Sequence, residues 1–166
     1  MIQLIYNPNY GKVFFNRNGA LKRTRLHQNR EVGDNMIFKG ISRSFSLLNE
    51  DQYNTIGAFW DSMSEVYGVE NLRGLGYSWH DGYIDYAIGL KSGEIADSDF
   101  FIELPDAGWE TVEGKTESLK EIYDEIYKDG ALTYEIEEFS ENGNCKIQYY
   151  RTAHFDFGQR RKEKLL

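Results

Sequence analysis

Cysteine, proline and long apolar runs are scarce in this chain of 166 residues, and each scarcity excludes a class of protein. The single cysteine, Cys145, excludes an intrachain disulfide and a zinc site built from several cysteines. The two prolines, Pro8 and Pro105, leave no proline-rich linker. No apolar run approaches the ~18 residues that a membrane helix needs. The first residues also lack the pattern of a secretion signal, so we expect a cytoplasmic protein that does not span a membrane.

Basic residues are outnumbered, because 19 Lys and Arg stand against 27 Asp and Glu, which gives a formal net charge of −8. Non-specific nucleic-acid binding needs a basic surface, so the charge argues against it. The hydrophobic fraction of 40% is too high for a disordered chain. A chain of this length buries about two-thirds of its unfolded surface, so it needs no metal to fold, and we expect no cofactor.

Three dipeptides of the kind that tight turns favour punctuate the chain, and they are Asn18-Gly19, Asp81-Gly82 and Asn142-Gly143. Segments rich in β-branched and aromatic residues flank the last two, at 72–79 with 83–90 and at 132–139 with 145–152. Both pairs predict β-hairpins. Weaker strand patterns on either side of the first dipeptide also predict a hairpin, within residues 1–35.

Two segments carry apolar residues at three- and four-residue intervals, and they predict helices over 49–67 and 118–129. Additional strands are predicted at 37–45, 100–105 and 109–113. The element order is then strand, helix, hairpin, twice over. We therefore expect an α+β fold of two strand-helix-strand-strand (SHS2) units that form one antiparallel sheet. The helices would cover one face of the sheet, and a ligand cleft would lie on the other.

Sequence motifs for nucleotide binding, serine hydrolysis and zinc proteolysis are missing. The histidines, His27, His80 and His154, lie far apart in the sequence, so we expect no metal site. Cys145 opens a predicted strand and has no histidine close by, which favours a buried and inert thiol.

Acidic and aromatic residues are therefore the remaining candidates for a binding or catalytic site. Glu135 and Glu137 alternate along one predicted strand and share a face, whereas Glu138 points to the other face. A carboxylate among aromatic rings attracts organic cations, and a desolvated carboxyl group has a raised pKa and can transfer protons. The alternative is that these glutamates form a solvated strand face.

Five segments resemble the GyrI-like family, the small-molecule-binding domain also found in AraC-type and MerR-type multidrug regulators. They are FKGISRSFS (38–46), IGAFWDSM (56–63), YIDYAIGL (83–90), LPDAGWETVEG (104–114) and SLKEIYDEIY (118–127). The resemblance assigns residues 36–155 to such an effector-binding domain. Residues 1–35 form an N-terminal extension with no counterpart in the family, and 156–166 form a basic tail. The extension does not resemble a helix-turn-helix, so we expect no direct DNA binding.

The resemblance implies two SHS2 units with a central cleft that binds lipophilic molecules, often cations, between aromatic walls. By position, the implied ligand-binding residues are Trp60, Tyr86, Trp109, Glu137, Gln148 and Tyr150. Gln148 stands where the family has an acid, and an amide can neither balance a cation nor take up a proton. Glu137 or Glu138 would have to supply the charge instead.

The leading hypothesis is a stand-alone GyrI-like protein that binds hydrophobic small molecules, including cations, as a sensor or by sequestration. The first alternative is an enzyme, a cofactor-free hydrolase of cyclopropanoid electrophiles whose catalytic candidates are Glu137, Glu138 and Tyr150. The second alternative is a module that inhibits a nucleic-acid enzyme such as gyrase through its acidic surface. We expect a binding protein rather than an enzyme; a protein partner and the oligomeric state are left open.

Overall fold

The computed structural model describes residues 2–7, 11–16 and 36–152. The strands are β1 (Ile2–Asn7), β2 (Gly11–Asn16), β3 (Met36–Ser46), β4 (Leu72–His80), β5 (Tyr83–Leu90), β6 (Phe100–Leu104), β7 (Glu110–Lys115), β8 (Tyr134–Phe139) and β9 (Asn144–Tyr150). The helices are α1 (Gln52–Tyr67) and α2 (Leu119–Tyr127). Neither of these helices is long and apolar enough to cross a membrane.

The chain is an α+β protein whose described strands all pair antiparallel, as the sequence predicted. Their order across the sheet is β1-β2-β6-β3-β5-β4-β8-β9-β7. The seven strands of residues 36–152 therefore occupy consecutive places from β6 to β7.

Two predicted hairpins are confirmed. β4 and β5 meet at Asp81 and Gly82, whose φ angles of 50° and 78° suit the tight turns that join antiparallel strands. β8 and β9 pair across a turn in which Gly143 has a φ of 79°. The turn predicted at Asn18-Gly19, the histidines His27 and His154 and the basic tail all lie outside the described residues.

Both predicted helices are present, but they are shorter than the sequence suggested. α1 begins three residues later than predicted, because Asn49 and Glu50 adopt positive φ angles of 55° and 59° that no α-helix contains. The helix ends after Tyr67, at the predicted residue, and Gly68 follows it with a φ of 81°. α2 ends at Tyr127 rather than at 129.

The sheet is strongly curled. β6 and β7 lie six strands apart in the sheet order, yet only residues 105–109 connect them. In a flat sheet these strands would be separated by about 29 Å, at about 4.8 Å per strand. The connection spans at most about 21 Å when fully extended. β6 and β7, which bound the seven-stranded part of the sheet, must therefore bend toward each other.

The two faces of the sheet bury different side chains. On the face with the helices, two clusters form the core: Phe59, Trp60, Met63, Leu72, Ile84, Tyr86, Ile88 and Ile95, and Tyr123, Ile126, Leu132 and Ile147. On the opposite face lies a third cluster, the concave cluster, composed of Phe38, Leu75, Tyr77, Ala87, Phe100, Ile102, Leu104, Tyr134 and Ile136. No residue of α1 or α2 belongs to this cluster.

Candidate functional site

A cavity of about 430 Å³ lies between the two helices and the sheet. Its walls come from α1, α2, β4, β5 and β8, and its aromatic lining residues are Tyr53, Trp60, Trp79, Tyr123, Tyr127 and Phe139. The helical spacing of Tyr53 and Trp60, and of Tyr123 and Tyr127, turns these pairs toward the sheet. The sequence predicted a cleft on the helix-free face instead. This cavity lies on the face that the helices cover, whereas the concave cluster lies on the other face.

Two buried acids, Glu135 and Glu137, form the floor of the cavity. They alternate along β8 and therefore share its helix-side face. Only 4% of the surface of Glu135 and 6% of that of Glu137 is exposed. The same-face prediction is confirmed, whereas the alternative of a solvated strand face is wrong.

Glycines on the neighbouring strand β4 provide the space for these acids. Gly76 pairs with Glu135, and a Cβ atom at Gly76 would lie 2.8 Å from the Glu135 carboxylate oxygen Oε1. Gly74 pairs with Glu137, and a Cβ atom there would lie 1.9 Å from the hydroxyl oxygen of Tyr86. Both contacts are far inside van der Waals distance. The glycines of LRGLGYSW therefore leave room for the polar side chains of the site.

Glu137 is fixed by two tyrosines. The hydroxyl of Tyr86 donates to Oε2 of Glu137 at 2.8 Å, and the hydroxyl of Tyr123 donates to Oε1. The indole Nε1 of Trp60 in turn donates to the Tyr86 hydroxyl at 2.8 Å. Three elements, α1, β5 and α2, thus converge on one carboxyl group. Each of its two oxygens accepts a hydrogen bond.

Glu135 is held less completely. Its Oε2 accepts a hydrogen bond of 3.2 Å from the hydroxyl of Tyr127. Its Oε1 accepts none from the described residues. Within the same residues, no lysine or arginine forms an ion pair with Glu135 or Glu137. The cavity therefore holds two carboxyl groups without a basic partner from the described part of the chain.

Burial raises the pKa of both acids. The pKa of Glu135 is well above its ordinary value, mainly because of burial and additionally because of the nearby Glu137. Burial also raises the pKa of Glu137, but the hydrogen bonds from Tyr123 and Tyr86 oppose that rise. Burial therefore favours the protonated form of Glu135 more than that of Glu137, whose anion two hydroxyl donors stabilise. Burial and the neighbouring acids raise the pKa of Tyr86 and Tyr123 well above 10, so both remain hydrogen-bond donors.

Two polar atoms of other lining residues have no hydrogen-bond partner in the described part of the chain. Oε1 of Gln52, in the first turn of α1, and Oγ1 of Thr116, just before α2, are buried without a hydrogen bond. Buried polar atoms are normally satisfied, so each such atom calls for an explanation.

Three of the predicted ligand-binding residues, Trp60, Tyr86 and Glu137, come together at this site. Trp60 and Glu137 line the cavity, and Tyr86 lies fully buried behind its wall. The hydrogen-bonded chain that joins them links residues 26 and 51 positions apart in the sequence.

The other predicted residues lie elsewhere. Trp109 and Tyr150 pack against Tyr134, with ring centroids 6.3 Å and 6.1 Å from it, at the border of the concave cluster. Gln148 pairs directly with Ile136, so its side chain shares that face. Glu138 points to the same face and forms an ion pair with Lys91 at 3.8 Å. The alternation of side chains along β8 and β9 places Glu138, Gln148 and Tyr150 on the face away from the cavity. Trp109, just before β7, packs beside Tyr150 with ring centroids 5.6 Å apart.

Several site residues were missed. Tyr53, Tyr123 and Tyr127 lie on the apolar faces of the two predicted helices, and the sequence did not single them out as site residues. Their hydroxyl groups were the available signal, because a tyrosine facing a sheet needs a hydrogen-bond partner. The partner could not be identified, since the sequence does not show which strand each helix covers.

The described residues offer no set of side chains that could bind a metal ion. No group of three or more His, Cys, Asp or Glu side chains in the described residues is arranged to hold a metal ion. His80 contacts Asp85 at 3.0 Å on the surface, and Cys145 is buried.

No protein-family model, no curated protein and no solved structure matches this chain.

Proposed function

We propose that this protein binds hydrophobic small molecules, including organic cations, in the cavity between α1 and α2, and that it acts as a sensor or by sequestration. One observation carries the proposal: two buried carboxyl groups, Glu135 and Glu137, face an aromatic cavity without a basic partner among the described residues. A cavity of about 430 Å³ is large enough for a drug-sized molecule.

Charge and aromatic contact both favour a cation. A buried carboxylate without a counter-ion is costly, and an organic cation would supply the missing charge. The faces of Trp60, Trp79 and Tyr123 would add cation–π attraction where water is excluded. A shallow hollow next to the cavity contains Asp61, Glu65 and Glu141, which would steer cations toward the entrance.

The order of elements supports membership of the GyrI-like family. The strands β3, β5 and β4 occupy one half of the seven-stranded part of the sheet, and β8, β9 and β7 occupy the other half in mirrored order. Along the chain, each set begins with a strand, continues with a helix and ends with a hairpin. We propose that these are two SHS2 units. In this chain the charge of the cleft would come from Glu135 and Glu137 on β8, so the glutamine at position 148 does not remove it.

A matched pair of ligands tests the proposal. One is a naphthylmethyl-trimethylammonium cation, and the other is its neutral tert-butyl isostere. Calorimetry should show tighter binding of the cation, and a concentration of 100 times its Kd should stabilise the fold by about 2.7 kcal/mol. Glu137→Gln should weaken binding of the cation at least tenfold and leave the neutral isostere nearly unchanged.

Glu138→Gln is the matched control, because Glu138 lies on the same strand but faces away from the cavity. This variant should bind both ligands like the unaltered protein. Equal affinity for the cation and its isostere, or equal losses in the two variants, would contradict the proposal.

A hydrolase of cyclopropanoid electrophiles is a second candidate, and the unequal environments of the two acids favour it. Glu137, held as an anion by two tyrosines, would accept a proton from water, and the water oxygen would bond to a ring carbon. The ring bond would break, its electron pair would move into the conjugated carbonyl, and protonated Glu135 would supply a proton there. Turnover that vanishes in Glu135→Gln and persists in Glu138→Gln would support this activity; the absence of turnover would exclude it.

A further inference from the structure

Several hydrogen-bond acceptors among the residues that line the cavity lack a donor within the described residues, and they indicate which kind of cation the cavity would prefer. We propose, resting on the proposed function, that the preferred cation carries N–H donors, as a protonated primary or secondary amine does, on an apolar skeleton. Fully substituted cations, such as quaternary ammonium ions, would be second choices. The inference depends on which polar atoms already have partners and which do not.

Glu137 keeps fewer free acceptor positions for a ligand hydrogen bond than Glu135 does. Both of its oxygens accept bonds from tyrosine hydroxyls, which hold the carboxylate against the sheet. It therefore supplies negative charge more than a contact point. Its role is the same for any cation, with or without N–H groups.

Glu135 has more acceptor positions free for a ligand. It is 4% exposed, and one of its oxygens accepts no hydrogen bond from the described residues. The other accepts only the 3.2 Å bond from Tyr127. Because Glu135 lines the cavity, a cation with N–H groups can donate to its carboxyl group there and favour its ionised form.

Gln52 and Thr116 provide two more hydrogen-bond acceptors, on the side of the cavity that the helices form. Each has a buried oxygen without a partner, and each residue lines the cavity. A protonated primary amine carries three N–H groups that point in different directions, and it can donate to several such acceptors at once. A quaternary ammonium ion carries none and would leave all of them unsatisfied.

The test compares 2-(naphthalen-2-yl)ethylammonium with its N,N,N-trimethyl analogue by calorimetry at pH 7. An ammonium group is more strongly hydrated than its trimethyl analogue, so in a cavity without acceptors the trimethyl compound would bind better. The proposal predicts the reverse, with the primary ammonium binding about tenfold more tightly or better.

Gln52→Met removes one acceptor while retaining the length of the side chain. It should weaken binding of the primary ammonium about fivefold and change binding of the trimethyl compound less than twofold. Asn54→Leu, an exposed substitution on the same turn of α1, is the control and should change neither.

The outcomes separate this inference from the proposed function. If the trimethyl compound binds as well as the primary ammonium, and Glu137→Gln weakens both, the inference is overturned and the proposed function stands. If Gln52→Met weakens both compounds equally, the assigned role of Gln52 as an acceptor is wrong. If neither compound binds, the proposed function and this inference both fail.

Discussion

The buried acid pair predicts that the fold loses stability as pH rises. Glu135 has a folded-state pKa well above its ordinary value of 4.5, and burial is the main cause. Its protonated form therefore stabilises the folded state. That contribution is fully present below the unfolded pKa and is lost as pH rises through the folded pKa.

The magnitude follows from the number of protons involved. Where the folded chain holds one more proton than the unfolded chain, the free energy of unfolding falls by about 1.4 kcal/mol per pH unit. Glu137 adds less, because the hydrogen bonds from Tyr123 and Tyr86 oppose the effect of burial on its pKa. We therefore expect a slope near one proton, beginning just above pH 4.5, the ordinary value for a glutamate.

Urea denaturation between pH 4.5 and pH 8 measures this slope. Glu135→Gln cannot ionise, so its slope should be smaller than that of the unaltered protein by up to one proton, and it should be the more stable protein at pH 8. Glu138→Gln, on the opposite face, should keep the original slope. A flat profile for the unaltered protein, or an unchanged slope in Glu135→Gln, would refute the assignment of the raised pKa to this pair.

Three further substitutions test the packing around the site, each by urea denaturation at constant pH. Gly74→Ala should destabilise the fold by about 1–3 kcal/mol, because the new Cβ atom would overlap the Tyr86 hydroxyl; a neutral effect would show that the site can shift. Tyr86→Phe should lower stability by about 1–3 kcal/mol, since Trp60 and Glu137 each lose a partner, and no loss would mean that water replaces the hydroxyl. Leu75→Ala, in the concave cluster, should lower stability by about 2–5 kcal/mol, and it should leave cation binding by the folded protein unchanged if the two faces are independent.

Local features were the most predictable part of the fold. The turn at Asp81 and Gly82 was predictable because its two residues tolerate positive φ without help from the rest of the chain. The start of α1 was not, because Asn49 and Glu50 both adopt the left-handed conformation, and the sequence around them resembles an ordinary helix start. Helix propensity alone does not show which residues near the start of a helix adopt a positive φ angle.

The sequence predicted the shared position of two site residues, because the alternation of side chains along a strand was enough to establish it. Glu135 and Glu137 share a face because they are two residues apart, and any register of β8 preserves that relation. Trp109 and Tyr150 lie on a different face from Glu137, and the sequence could not show this, since it depends on the face toward which each side chain points. A register shift of one residue reverses that face, and the sequence does not record the register.

The hydrogen bonds of Glu137 come from segments far apart in the chain, with separations of 51 residues to Tyr86 and 14 to Tyr123. The donor behind them, Trp60, precedes Tyr86 by another 26 residues. Such non-local contacts form only when β5, β8 and both helices are assembled, so a fragment that lacks any of these elements loses the site. A ligand in the cavity should therefore slow amide hydrogen exchange in β5 and β8 to the same degree, because one cooperative opening exposes both strands.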